Sequence, residues 1–206
     1  MTMRYLALGD SYTIGESVAE GERFPMQLAA QLRARGYELD DVGIVARTGW
    51  TTDELARALD LFEQQRAAEA SETYELVTLL IGVNNQYRGR DVEAYRSEFV
   101  KLLQRAIGYA GNRPARVIVV SIPDWGVTPF GKNRDDVARE IDAFNAVNRA
   151  ETLRLGAPYA DITPISRAAL HDSALIAADG LHPSAKMYAQ WVELILPIAA
   201  EILHHS

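Results

Sequence analysis

The sequence predicts an α/β fold, a three-layer α/β/α sandwich built on about five parallel strands. Three observations predict it. Short apolar runs alternate with longer amphipathic segments along the chain, and strand–helix alternation implies βαβ units with right-handed crossovers. Two of the apolar runs, Leu76–Ile81 and Val117–Val120, do not alternate with polar residues, as in strands covered on both faces by helices. The 206 residues show no internal repeat, low-complexity linker or compositional boundary, so a single domain over 1–206 is expected.

In order, the expected strands are Tyr5–Leu8, Val42–Ala46, Leu76–Ile81, Val117–Val120 and a weaker Tyr159–Ile162. The first expected helix, Gln27–Arg35, carries Leu28 and Leu32 one turn apart and stops at Gly36. Thr52–Ala70 places Leu55, Leu59 and Phe62 on one face, with Thr51 or Thr52 as its cap. Val92–Tyr109 is capped by Asp91 and aligns Tyr95, Phe99, Leu102 and Leu103. Asp136–Leu155 and Ser184–Leu203 complete the set, with Pro197 expected to kink or end the last helix. The longest loop, Ile122–Asp135, is of a length that often carries function.

Composition narrows the function classes. Twenty-one Lys and Arg against 28 Asp and Glu give a net charge of −7, which argues against a nucleic-acid partner, since phosphate neutralisation needs clustered cations. The chain has no cysteine, excluding disulfides, thiolate catalysis and cysteine-ligated zinc. No segment approaches the roughly 20 apolar residues of a transmembrane helix, and Tyr5–Leu8 is too short for a secretory leader. A cytoplasmic location is the expectation; the oligomeric state is left open.

In open parallel sheets ligands bind beyond the carboxyl ends of the strands. The first strand runs into Gly9-Asp10-Ser11, the second into Thr48-Gly49-Trp50, the third into Gly82-Val83-Asn84-Asn85, and Asp179-Gly180-Leu181-His182-Pro183 precedes the last helix. A hydroxyl, a glycine N–H, a carboxamide and an imidazole are the parts acyl transfer requires: a nucleophile, a base and oxyanion donors. Asp179, three residues before His182, is close enough to accept from the other ring nitrogen and fix the tautomer. Pro183 steers His182 away from helical geometry. An unperturbed imidazole titrates near ~6.5, which suits a base at neutral pH.

These four blocks, in this order, resemble the GDSL or SGNH hydrolases. The resemblance spans Gly9 to His182. It implies Ser11 as nucleophile, Asp179 and His182 as its triad partners, and an oxyanion hole formed by the N–H groups of Ser11 and Gly49 and the amide of Asn84. It also implies a flavodoxin-like strand order, 2-1-3-4-5. Two positions depart from the family pattern. Asn85 stands where the third block commonly has aspartate, which is expected to change local hydrogen bonding and not the reaction. Arg47 lies where an asparagine often precedes the glycine.

Taken singly, each block has a plainer reading as a turn or a helix cap. Asp10 reads as a turn-shaping residue; Glu16, Glu20 and Glu22 as a solvated loop; His171 as solvent-facing; His204, His205 and Ser206 as an inert tail. Asp161 is a rival triad acid with nothing near it in sequence to support it. Gly126–Lys132 matches the spacing of a phosphate-binding loop, but Asn133 replaces its Ser or Thr and Pro129 removes an N–H. The expected function is hydrolysis of a small-molecule carboxylic ester with short-to-medium acyl groups. No metal or organic cofactor is implied. Trp50, Tyr87 and the Trp125–Phe130 loop are expected to line an apolar pocket. Other members of the enzyme class remain open, namely thioesterase, lysophospholipase or carbohydrate acetylesterase. Outside it stands a non-catalytic flavodoxin-like module binding an anion or small molecule near Ser11.

Overall fold

A computed structural model describes residues 2–66, 73–132 and 134–204. The apolar runs form one parallel sheet of five strands: β1 (Tyr5–Gly9), β2 (Gly43–Ala46), β3 (Leu76–Leu80), β4 (Val117–Val120) and β5 (Tyr159–Ala160). Their order is β2-β1-β3-β4-β5, every neighbouring pair parallel. Strands β1, β3 and β4 are buried along their whole length, which is why they read as continuous apolar runs.

The helices are α1 (Ser11–Ile14), α2 (Phe24–Ala34), α3 (Thr52–Arg66), α4 (Val83–Tyr87), α5 (Val92–Tyr109), α6 (Val137–Arg154), α7 (Thr163–Arg167) and α8 (Ala185–His204). From β1 the chain crosses through α2 to β2 on one side, then returns through α3 to β3 on the other. Right-handed crossovers then place α2 on one face and α3, α5 and α6 on the other. Accordingly α2 packs on α8, and α5 packs on α3 and α6. The reversal of direction falls between β1 and β3, the switch point where open α/β sheets leave a crevice. Register sharpens this: Gly9 pairs with Ala46 and with Leu80, so three adjacent strands end at one level.

Several boundaries differ from the sequence expectation. Helix α2 starts at Phe24, three residues early, because Pro25 suits a first helical turn and Phe24 is fully buried. At the start of α3 the Thr51 hydroxyl does not cap; it donates to Asp53 and Glu54, while Glu54 accepts the Thr51 N–H at 2.9 Å. The expected continuation of that helix through Ala67–Ala70 lies outside the described residues. Strand β5 stops at Ala160, since the N–H groups of Ile162 and Thr163 turn to the Ser121 hydroxyl. Pro197 does not end α8: the buried Ile195, Leu196 and Ala199 carry the helix through to His204.

Candidate active site

Ser11 is the first residue of α1, directly beyond β1. Asp10 caps that turn by accepting the Tyr12 N–H at 3.0 Å. Asp10 is fully buried, and its second oxygen has no partner among the described residues. Burial pushes its carboxyl up to about 7, against the pull of the Tyr12 N–H and its own backbone.

His182 sits in a loop tied at both sides. The Ala177 N–H donates to the His182 carbonyl and the Ser184 N–H to the Leu175 carbonyl, each at 2.8 Å. Asp179 Oδ1 accepts the N–H groups of Leu181 at 2.9 Å and His182 at 3.0 Å. Its Oδ2 lies 2.5 Å from His182 Nδ1 and accepts the Ser17 hydroxyl at 2.7 Å. Partial burial would raise the Asp179 carboxyl, but the His182 ring, those two N–H groups and Ser17 hold it well below the usual carboxylate range. The Tyr12 ring packs 5.3 Å from the imidazole.

Beyond β2, Arg47–Trp50 form a turn closed by the Trp50 N–H to the Arg47 carbonyl at 3.3 Å. Gly49, the third residue, has φ +83°, which a side chain would resist. That turn leaves the Gly49 N–H unused; among the described residues no protein acceptor takes it. The Gly49 carbonyl accepts from Arg88 Nη2 at 2.7 Å, and the Thr48 hydroxyl donates to Glu16. Asn84 in α4 donates one amide hydrogen to the Trp50 carbonyl at 2.9 Å, leaving its second free. Gly82, which turns the chain into α4, has φ +127°, and a Cβ there would collide with the Tyr95 hydroxyl.

Ser11, Gly49, Asn84 and His182 line one cleft of about 180 Å³, whose other walls are largely apolar: Tyr12, Val83, Tyr87, Trp125, Phe130 and Leu181. Tyr87, Trp125 and Phe130 form a three-ring cluster with centroids 5.4–6.2 Å apart. Trp125 is fixed by its indole N–H to Gln86 at 2.7 Å, while Tyr87 and Phe130 are about half exposed. Among the described residues, Ser11 and the imidazole share this cleft without a direct hydrogen bond. Also among them, no group of three His, Asp or Glu side chains is arranged to hold a metal ion, and no helix is long and apolar enough to cross a membrane.

Residues 7–190 match the model of the GDSL-like Lipase/Acylhydrolase family. The chain belongs to this family. Its members are hydrolases of carboxylic esters, and this chain is one of them. Among solved structures, the chain is similar to TesA, with 20% identity, a TM-score of 0.73 and coverage of 97% of this chain and 99% of that one. It is also similar to the psychrotrophic esterase EstA from Pseudoalteromonas sp., whose structure is inhibited by monoethylphosphonate (17%, TM-score 0.72, 98% of each chain). A family 3 carbohydrate esterase from Clostridium thermocellum is 19% identical with a TM-score of 0.73, over 100% of this chain and 98% of that one. No curated protein sequence matches the chain.

Within the GDSL frame, Asn85 replaces the usual aspartate without loss of hydrogen bonding. It is fully buried, accepts the Thr52 N–H at 3.1 Å and donates to the Thr52 hydroxyl at 2.6 Å; that hydroxyl donates onward to Glu98. An aspartate could not donate to Thr52. Asp161 is remote from His182 in its contacts, accepting from Ser121 and the Thr163 N–H. Trp50 does not line the cleft: its side chain packs partly buried against the core, and its carbonyl is what serves the site. Glu16 is no free loop residue, since it holds Thr48. The rejected phosphate-loop segment forms a cleft wall, pinned by the Phe130 N–H to the Gly180 carbonyl at 3.0 Å; Asn133, His205 and Ser206 lie outside the described residues. Sequence reasoning missed Ser17 and Arg88, which carry no motif and reach the site only through tertiary contact; Leu181 lies within the Asp179–His182 block, but its place in the cleft wall was not read from it.

Proposed function

We propose that this GDSL-family ester hydrolase works through an acyl-enzyme on Ser11, with His182 as base and Asp179 as its orienting anion, on esters of short-to-medium acyl chains. One observation carries the reading: a hydroxyl, an imidazole already paired to an ionised carboxylate, and three unspent N–H donors converge on one apolar cleft. In the first step Ser11 Oγ attacks the ester carbonyl and its proton passes to His182 Nε2. The negative oxygen is held by the N–H groups of Ser11 and Gly49 and by the free Asn84 amide hydrogen. His182 then returns the proton to the departing alcohol. In the second step water gives a proton to His182, attacks the acyl group, and Ser11 leaves with that proton. The Ser11–His182 hydrogen bond is expected to form as substrate enters, since such bonds tighten in the Michaelis complex.

The cleft supports a short acyl group. At about 180 Å³ it falls below the ~300–1,000 Å³ of sites that enclose drug-sized ligands. The half-exposed Tyr87 and Phe130 then meet whatever extends beyond it. That aromatic rim also favours a second reading, an acetylated carbohydrate stacked on Tyr87 and Phe130. A cytoplasmic location belongs to the proposal, and cell fractionation tests it.

The test is incubation with activated esters of increasing acyl length, with and without a fluorophosphonate. A burst of product, a single labelled peptide containing Ser11, and rates that fall with chain length are expected. Ser11→Ala and His182→Ala should each abolish most turnover, and the double variant should lose little more, because the pair acts as a unit. Absence of labelling together with no turnover at any acyl length would leave the anion-binding module as the better account.

A further inference from the structure

Among the described residues only two that are not glycine have positive φ, Ser17 (+66°) and Asn112 (+58°). Asparagine tolerates this region; serine gains nothing from it, and glycine would adopt it freely. Ser17 is also exposed, so packing does not explain the strained backbone. What the conformation achieves is a contact across 162 positions of sequence: the Ser17 hydroxyl donates to Asp179 Oδ2 at 2.7 Å. That is the oxygen facing His182 Nδ1.

We infer that Ser17 is a positioning residue for the Asp179–His182 pair, acting as the fourth donor that locks the carboxylate in place. The inference rests on the role proposed above for Asp179. The two backbone N–H groups on Oδ1 fix one end of the carboxylate. Oδ2 has room for two donors, and with only the imidazole on it the group swings about its Cβ–Cγ bond until the His182 loop follows. The Ser17 hydroxyl takes the second place and sets the plane in which Nδ1 must lie. The same short segment serves the other side of the cleft, because Glu16 accepts from Thr48 beside Gly49. The chain that leaves α1 through its cap Gly15 thus ties the Ser11 turn, by Glu16 and Ser17, to both of the other walls of the cleft.

A merely structural tie between two loops predicts that activity follows stability. The positioning role predicts that they separate, and substitutions at this one residue can separate them. Ser17→Gly removes the hydroxyl and relieves the backbone. Its melting temperature should match or exceed that of the unaltered protein, while kcat falls roughly 10-fold with KM unchanged. Ser17→Thr keeps a hydroxyl but places a β-branched residue at positive φ. It should melt lower and yet retain most of kcat. In both the unaltered protein and Ser17→Gly, the low-field NMR resonance of the His182 Nδ1 proton gives a readout independent of turnover, and it should move or broaden in the glycine variant. The inference is overturned if Ser17→Gly keeps full kcat with that resonance in place, or if kcat in the two variants simply tracks melting temperature. If a fluorophosphonate fails to label Ser11 while the resonance still moves, the acyl-enzyme reading falls and the hold of Ser17 on the pair stands.

Discussion

Asp10 and Asp179 are the two carboxylates next to the proposed nucleophile and base in sequence, one before Ser11 and one three residues before His182. Their surroundings drive them apart. Asp10 is sealed from water, with the Tyr12 N–H and its own backbone as its only counterweights and no partner for its second oxygen among the described residues, and burial pushes it up to about 7. Asp179 is partly exposed and collects four donors, which together outweigh the effect of burial and hold it far below the usual range. Near neutral pH the first is largely shared between its charged and neutral forms, while the second is an anion. The difference teaches that depth alone does not make a carboxylate useful to a histidine; the donors around it decide whether it keeps the charge that an imidazolium needs.

The sharpest way to break the comparison is to make both residues asparagine. In Asp179→Asn the amide presents a donor to Nδ1, which forces the ring proton onto Nε2, where it blocks acceptance of the Ser11 proton. A fall in kcat of about 10²–10⁴ is expected. Asp10→Asn keeps an oxygen for the Tyr12 N–H and should remain within about tenfold of the unaltered rate. Equal losses in the two variants, measured as kcat on an activated ester, would erase the distinction drawn between them.

Asn84 extends the same logic of spent and unspent polar groups. One of its amide hydrogens is committed to the Trp50 carbonyl, and the other is the proposed oxyanion donor in the cleft that Asn84 lines. Asn84→Ala should lower kcat by about 10²–10³ with little change in KM. A variant that changed KM alone would show the amide binding substrate and not the oxyanion.

Asp10 also predicts a pH dependence of stability. Its carboxyl sits higher in the folded chain than in the unfolded one. Both states are protonated in acid and pay nothing there; as pH rises from about 4 to about 7 the unfolded state ionises first and the folded state loses stability by comparison. Asp10→Asn has no charge to bury. It should therefore exceed the unaltered protein in unfolding free energy above pH 7, by on the order of 4 kcal/mol, with the gap closing toward pH 4. Urea melts at the two pH values measure it, and a gap that widened in acid would contradict the burial argument.

Much of this was legible in the sequence because it is local. The apolar runs of β1, β3 and β4 announce a doubly covered sheet, and the residues after each strand place Ser11, Gly49 and Asn84 at its carboxyl edge. Asp179 and His182 are three apart, so one short loop can bring them together. What could not be read is tertiary. Ser17 meets Asp179, and Glu16 meets Thr48, only because α1 turns back over the switch point. The single-turn helices α1 and α4 are too short to leave a periodic trace, and β5 is cut short by a side chain 39 residues away, Ser121 in bonding the Thr163 and Ile162 amides. Trp50 misleads for a related reason: its aromatic ring suggests a pocket wall, while the turn that frees the Gly49 N–H turns that ring toward the core.

Arg88 sets the lower bound of these effects. It is partly exposed, donates to the Gly49 carbonyl at 2.7 Å and pairs with Glu54 at 3.3 Å; Glu54 in turn holds the Thr51 N–H. Exposed ion pairs contribute little to stability, so Arg88→Ala should barely move the melting temperature. Its effect should instead fall on the orientation of Gly49, whose carbonyl is held by Arg88 and whose N–H is the proposed oxyanion donor. A loss of about 3- to 10-fold in kcat with KM steady is expected, the scale of one charge-assisted hydrogen bond acting through a neighbour. Arg88→Lys should recover part of it, because an ammonium replaces the planar fork that reaches carbonyl and carboxylate together. If alanine and lysine were equally active, the clasp would be ornamental and the turn closed by the Arg47 carbonyl would be sufficient to aim Gly49 unaided.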